Sequence, residues 1–397
     1  MQGIGSTKSR AREELVQVRG IFQRRITLMQ GIALIVSSTI GAGILSLPYA
    51  ISKSGALIGF MYICVLGLLM ITLNLMLGQM VSVQPHPLQI TGLANKYLGK
   101  VGGIFMTCIL YTMFTGVLLV YLIGEGESLS SLLGGNPFYW TCGFFVLALI
   151  FLSSGMRLIK RIESVLVIGV LMVVFLIVLA SAPHAQVSNL LSYDFAQLLF
   201  PYGIILFAFH GTSAMPEVYS IMKKENGSFK TAIVSSGVIA ILVYAAFALM
   251  SVAVMGVETT ELATTGLEHF VGRQAFVFGN IFAFLAMGMS FLITGLSFRD
   301  SLVWDHHIPE WMATIGVCVV PFLLFCFGLR SFAGVIDIVG GVLVSLETLL
   351  IVAMYWRAYR SGDLNHHTYQ LRFIGYIIIP LVIALGIGAV YSVVKLF

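Results

Sequence analysis

The sequence predicts an all-α membrane protein of eleven transmembrane helices, ten of them in two five-helix repeats of opposite orientation and the eleventh extra. Three observations carry this. Of 397 residues, 58% are hydrophobic and 10% charged, against about 45–50% and about 25% in soluble domains. Eleven apolar stretches approach the length that crosses a bilayer, roughly 20 residues. Two of them, five apart in the chain, carry matching glycine–proline interruptions.

A mean hydropathy of +0.99 excludes soluble enzymes, because a soluble fold of this size needs more polar residues to coat it. In lipid, an outward side chain should itself be apolar. The five cysteines, Cys64, Cys108, Cys142, Cys318 and Cys326, lie in apolar segments without metal spacing. They read as reduced packing residues. The net charge of +5 comes from loops and the N-terminus, and reports topology rather than nucleic-acid binding. The first apolar run follows about 26 polar residues, is too long for a signal-peptide core and precedes no cleavage site.

The predicted spans lie near 27–50, 55–80, 102–124, 138–155, 161–181, 197–222, 229–255, 272–295, 311–328, 332–355 and 371–395. Repeat one covers about 27–181, repeat two about 197–355, and the extra helix about 371–395. Span 311–328 is short and contains Pro321. Residues 1–26 form a basic cytoplasmic segment ahead of one transmembrane domain, 27–397. Within it, Leu15, Val18, Phe22 and Ile26 would share one face of a helix on the inner leaflet; a disordered basic tail is the alternative.

With the N-terminus inside, eighteen Lys and Arg fall in cytoplasmic segments, and only Lys53, Arg273, Arg330 and Lys395 fall outside. This is the positive-inside bias. It places the C-terminus outside, and the outer loops carry Glu125, Glu127, Asp194, Glu258, Glu261 and Glu268 instead.

Span 1 reads Ser37-Ser38-Thr39-Ile40-Gly41-Ala42-Gly43, then Pro48; span 6 reads Phe207-Ala208-Phe209-His210-Gly211-Thr212-Ser213, then Pro216. In each, a proline follows a glycine by five residues. Glycine tolerates non-helical dihedrals and proline deletes a backbone donor, so each span reads as two half-helices around an unwound stretch. Unwound backbone at membrane depth is costly unless it lines a cavity or protein interior. Paired interruptions in two halves point to a transporter site, although two ordinary kinks would leave the same residues. An odd offset of five inverts the second half. This is the leucine-transporter-type fold.

The run Thr39-Ile40-Gly41-Ala42-Gly43-Ile44-Leu45-Ser46-Leu47-Pro48-Tyr49-Ala50 resembles the first-helix motif of the amino acid/auxin permease family, within the amino acid–polyamine–organocation superfamily. The run from Phe207 to Gly211 and on through Met215-Pro216-Glu217-Val218-Tyr219 resembles that family's sixth helix. The bacterial aromatic and hydroxy amino acid permeases are similar in the same elements. The resemblance implies a multi-pass cell-membrane protein that imports amino acids by alternating access, driven by protons or sodium.

An amino acid zwitterion needs an anion site, a cation site and a side-chain pocket. The amides of Gly41, Ala42, Gly43 and Ile44 begin a half-helix and suit a carboxylate. Carbonyls near Phe207, Ala208 and Phe209 would take the ammonium, Ser38 and Thr39 would add hydroxyls, and Phe207 and Phe209 would bound the pocket or simply pack. Gly211 completes the second break. Tyr111, Thr112 and Thr115 are polar at helical spacing in span 3, facing substrate or a neighbouring helix.

Ser290 and Thr294 share a face of span 8. With the carbonyls of Ser37 and Ile40 they would cage sodium, or else serve as small packing residues. His210, Glu217 and Glu347 are ionisable groups at membrane depth, which are usually functional. His210 suits proton coupling, or is a neutral imidazole tied to a carbonyl. Glu347, with no lysine in the mid-membrane segments, is expected protonated or water-linked. Asp337 lies nearer the outer end. No cofactor, nucleic acid or metal beyond sodium is implied; the partners are substrate, coupling ion and lipid, and the chain is expected to be monomeric. A transporter of another solute, such as a polyamine or nucleobase, and a non-transporting receptor on this fold are the competing readings. A membrane enzyme lacks any Ser/His or Asp-Asp constellation or P-loop.

Overall fold

The computed structural model describes residues 15–18, 21–85, 88–153, 159–222, 228–266, 268–364 and 374–395. Most of the chain is helical. Strands β1 (Leu15–Val18) and β2 (Ile21–Arg24) pair antiparallel. The N-terminal stretch is thus a hairpin where the sequence had suggested a surface helix; the basic residues Lys8, Arg10, Arg12 and Arg19 lie outside the described residues.

Helices α1 (Leu28–Thr39) and α2 (Gly43–Ser54) meet at a bend of 58°. Thr27 caps α1 reciprocally with Gln30, satisfying orphan amides at its start. Helix α3 (Ala56–Ser82) follows, then α4 (Ile90–Leu133), which kinks at Gly99, and α5 (Pro137–Ser153) and α6 (Ile159–Ser181). A second interruption separates α7 (Pro201–Ala208) from α8 (Ala214–Ile221). Then come α9 (Ser228–Met255), α10 (Arg273–His306) and α11 (Glu310–Cys326, with Pro321 inside). Helices α12 (Phe332–Ile338) and α13 (Ser345–Arg360) are joined by a π-helical segment, Val339–Val344, and α14 (Ile374–Val394) is the last.

By length and apolarity, five helices qualify as crossing a membrane, six with the bent α1–α2 pair, among the described residues. Four shorter apolar helices stand beside them. Their outer faces are apolar: Leu57, Met61, Val65 and Leu68 on α3, and Val146, Leu147 and Ile150 on α5, are exposed. Lipid accounts for such a surface; water would not.

In each interrupted pair the helix resumes before the proline. Helix α2 restarts at Gly43 with Pro48 inside it, and Pro216 lies in the first turn of α8. A first-turn proline forfeits only an amide that has no helical partner. The breaks themselves are residues 40–42 and 209–213.

Helices α4 and α10 run well past their predicted ends. Helix α4 continues to Leu133, so Glu125 and Glu127 belong to it rather than to an outer loop; Glu125 is wholly buried. Polar residues end an apolar run, but they need not end a helix. Helix α10 likewise carries Arg299, which is buried and paired with Asp300 and Glu310 rather than lying free in a loop.

The core is built around the two breaks. Helix α9 packs on α1, α2 and α3; α7 packs on α2 and the π segment; α10 packs on α4. On one side of the breaks, the Glu261 carboxylate accepts from Ser331 Oγ and the Ala333 amide, capping α12, while its carbonyl accepts from Ser46 of α2. Residues after α9 thereby tie α2 to α12.

Candidate functional site

The two breaks face each other at backbone distance. A Cβ on Gly43 would lie 2.7 Å from Ala208 Cα and 3.1 Å from Phe207 Cδ1. A Cβ on Gly211 would lie 2.6 Å from Thr39 Oγ1. Both are below ordinary carbon contact distance, so these glycines let α2 meet α7, and the second break meet α1. The missing side chain of Gly43 makes room for Ala208. Gly41 differs, since a Cβ there would have only the Tyr121 hydroxyl near it, at 3.6 Å.

The sequence offers four amides to a carboxylate. Gly41 donates to the Thr39 carbonyl at 3.1 Å and Ile44 to that of Gly41 at 3.4 Å. The Ala42 carbonyl accepts from the Leu45 amide at 3.0 Å, while neither the Ala42 nor the Gly43 amide donates within this turn. Ala42, Gly43 and Ile44 are buried; Ser37 and Ser38 are half-buried. Thr39 spends its hydroxyl on the Ile35 carbonyl of its own helix, at 2.8 Å.

Tyr244 of α9 holds the breaks together. Its hydroxyl reaches the Thr39 carbonyl at 2.8 Å and the Ala208 carbonyl at 2.6 Å. These are the last residues of α1 and α7, whose carbonyls lack helical partners. The Ala208 carbonyl thus shares the one Tyr244 hydroxyl proton with the Thr39 carbonyl, and the Phe207 carbonyl accepts from the His210 amide at 3.0 Å. Phe209 is buried edge-on against the Tyr244 ring, with centroids 4.8 Å apart. It packs the core, while Phe207 is half-buried between Gly43 and Gly340.

His210 and Glu347, nominated separately from the sequence, are side by side. His210 Nε2 lies 2.8 Å from Glu347 Oε2, Thr212 Oγ1 donates to Glu347 Oε1 at 2.7 Å, and Thr212 Oγ1 lies 3.1 Å from His210 Nε2. Glu347 is fully buried and His210 nearly so, its side chain 15% exposed. A buried carboxylate needs such partners, and Glu347 is met by imidazole and hydroxyl. Glu217, by contrast, is exposed on α8.

The π segment makes this meeting possible. Gly340 within it abuts the Gly203 carbonyl of α7 so closely that no Cβ would fit. A π turn inserts a residue and rotates the helix beyond it. Glu347, three residues past Val344, is thereby turned toward the break after α7.

The hydroxyl pair of α10 has an unforeseen companion. Ser290 and Thr294 both interact with the hydroxyl of buried Tyr121 of α4, which also faces Gly41. Tyr111, nominated instead, bonds Ser301 at 2.9 Å and packs on Phe298 and His306, away from the breaks. It precedes Tyr121 by ten residues, about 15 Å along a helix. Thr115 and Thr112 donate to carbonyls of their own helix. Asp337 pairs with Lys395, just past α14, at 2.6 Å. Tyr121 and Tyr244 had one signal in the sequence: a tyrosine in an apolar helix needs a partner for its hydroxyl.

Solved transporters share this architecture. The structure of MhsT in complex with L-phenylalanine superposes with a TM-score of 0.69 at 14% identity, covering 93% of this chain and 98% of that one. The manganese transporter of Eremococcus coleocola gives 0.67 at 15%, covering 92% and 85%. At such identities the likeness is one of fold, the leucine-transporter type.

Among curated proteins, the amino acid transporter AVT1C of Arabidopsis thaliana is 25% identical over 78% of this chain. The chain spans about three fifths of the length of that protein and of AVT1B from the same plant. Tyrosine-specific transport system 2 of Haemophilus influenzae is 24% identical, covering 82% of this chain and 87% of that protein. Residues 24–393 match the tryptophan/tyrosine permease family, and with nearly its whole length matched the chain belongs to that family.

Proposed function

We propose that the protein is a secondary active transporter, not an enzyme, that imports amino acids across the cell membrane by alternating access, with aromatic amino acids as first candidates. The family and the named specificity of its bacterial relatives support the substrate class. On this reading the chain crosses the membrane eleven times, with the N-terminus cytoplasmic and the C-terminus outside. The α1–α2 and α7–α8 pairs each form one discontinuous span of an inverted repeat.

The observation that carries the mechanism is the His210–Thr212–Glu347 cluster at the second break. A buried imidazole–carboxylate pair can take up and release one proton where unwound backbone meets substrate. The substrate carboxylate docks near Ala42 and Gly41, beside the Tyr121 hydroxyl. Proton binding at the pair biases which side of the membrane the site faces. Only differential interaction with the two states can do this.

The test is uptake of L-tyrosine and L-tryptophan into proteoliposomes under a proton gradient in sodium-free buffer. Accumulation that follows the proton gradient is expected, with Glu347→Gln uncoupled. Uptake that requires sodium and ignores the proton gradient overturns proton coupling. It would favour the second reading, a sodium site at Ser290 and Thr294, for which their convergence with Tyr121 speaks.

A further inference from the structure

Glu125 has no role in the mechanism above. It lies one helical turn beyond Tyr121 on α4, wholly buried, and neither carboxyl oxygen has a hydrogen-bond partner. Its surroundings are apolar. A Cβ on Gly288 of α10 would meet Glu125 Oε1 at 3.2 Å and Phe144 of α5 at 3.6 Å. Met287 and Phe332 close over Gly124 beside it.

The ionisable groups nearest along these elements offer no compensation. On α4 itself they are Tyr121 and Glu127, the latter facing Glu261 of the segment after α9. From α5 the thiol is Cys142, which is half-buried. On α10, Arg299 is engaged by Asp300 and Glu310, and lies eleven residues from Gly288, about 16 Å along a helix. His210 and Glu347 satisfy each other. An ionised carboxylate left alone in such a place costs more than folding can supply, whereas a neutral carboxyl there resembles a buried amide.

We propose that Glu125 is a second proton-carrying site, loaded in the conformation seen here and emptied when α4 and α10 part. Gly288 presents no side chain to the carboxyl, so Glu125 Oε1 lies against bare α10 backbone there and a small relative motion at that point would admit water. The step is a simple ionisation. The Glu125 O–H bond breaks, the proton passes to that water, and the carboxylate regains a proton from the opposite side as the helices close. The inference rests on the proton-coupled reading but is tested separately from it.

The protein is reconstituted and followed by infrared difference spectroscopy across a pH jump, as wild type, Glu125→Gln and Glu347→Gln. A protonated-carboxyl band that responds to the jump, vanishes in Glu125→Gln and survives in Glu347→Gln is expected. A spectrum unchanged by Glu125→Gln, or a Glu125 band indifferent to pH, overturns the proposal. Glu125→Gln is nearly isosteric with the neutral acid and should fold. With L-tyrosine as probe, it should lose proton-driven accumulation by at least about tenfold, equivalent to 1.4 kcal/mol, while keeping counterflow, and Glu125→Asp should restore part of the pH dependence. Accumulation equal to wild type at every pH means that Glu125 only packs. If wild type does not move L-tyrosine, the functional reading fails, and the infrared result still decides Glu125.

Discussion

Replacing Tyr244 by phenylalanine removes one hydroxyl and leaves the ring. The ring still packs against Phe209, so no cavity forms. The Thr39 carbonyl keeps the Gly41 amide at 3.1 Å. The Ala208 carbonyl loses the partner it holds at 2.6 Å. Tyr244 and Ala208 are both buried, so one carbonyl is left unsatisfied, at about 1–3 kcal/mol. For a chain of 397 residues, an unfolding entropy of about 2.1 cal/mol/K per residue converts this to a melting temperature lower by about 1–4 °C. Thermal unfolding in detergent, read by intrinsic fluorescence, measures it. Tyr139, which is exposed, gives the control Tyr139→Phe, expected within about 0.5 kcal/mol of wild type. If Tyr244→Phe melts with wild type, or the control falls equally, the hydroxyl does not hold the two half-helix ends together.

The glycines should separate by role. Gly43→Ala should destabilise the fold through overpacking on Ala208, by about 1–3 kcal/mol, and so lower the melting temperature, whereas Gly41→Ala, with room at 3.6 Å, should fold and weaken ligand binding in a thermal-shift assay. Lys395→Met leaves buried Asp337 without its cation and should destabilise; Asp337→Asn added to it should recover most of the loss, and additive losses in that double-mutant cycle would show the pair to be inert. Accessibility labelling in a cysteine-free background should find Ser130→Cys reactive from outside and Asn226→Cys from inside; the reverse pattern would sink the proposed orientation.

The sequence by itself determined the solvent, the helical class and the family. Each is written in local features: apolar runs too many for water, and the glycine-rich run of residues 39–50 with its counterpart at 207–219. It also singled out His210 and Glu347, since an ionisable residue in an apolar run is conspicuous. It left them unrelated, because they are 137 residues apart. Only the packing of α7 on the π segment turns Glu347 toward His210, and a π turn leaves no mark in hydrophobic periodicity. Gly43 was legible as a special position, but not as one that accommodates Ala208 of another helix. Glu125 was misplaced for a related reason. An acidic residue after an apolar run reads as the start of a loop, and what kept it in the helix and buried it was the apolar contact of α5 and α10. Tertiary structure decided these points because each depends on what lies across an interface from the residue, which no window of the chain contains.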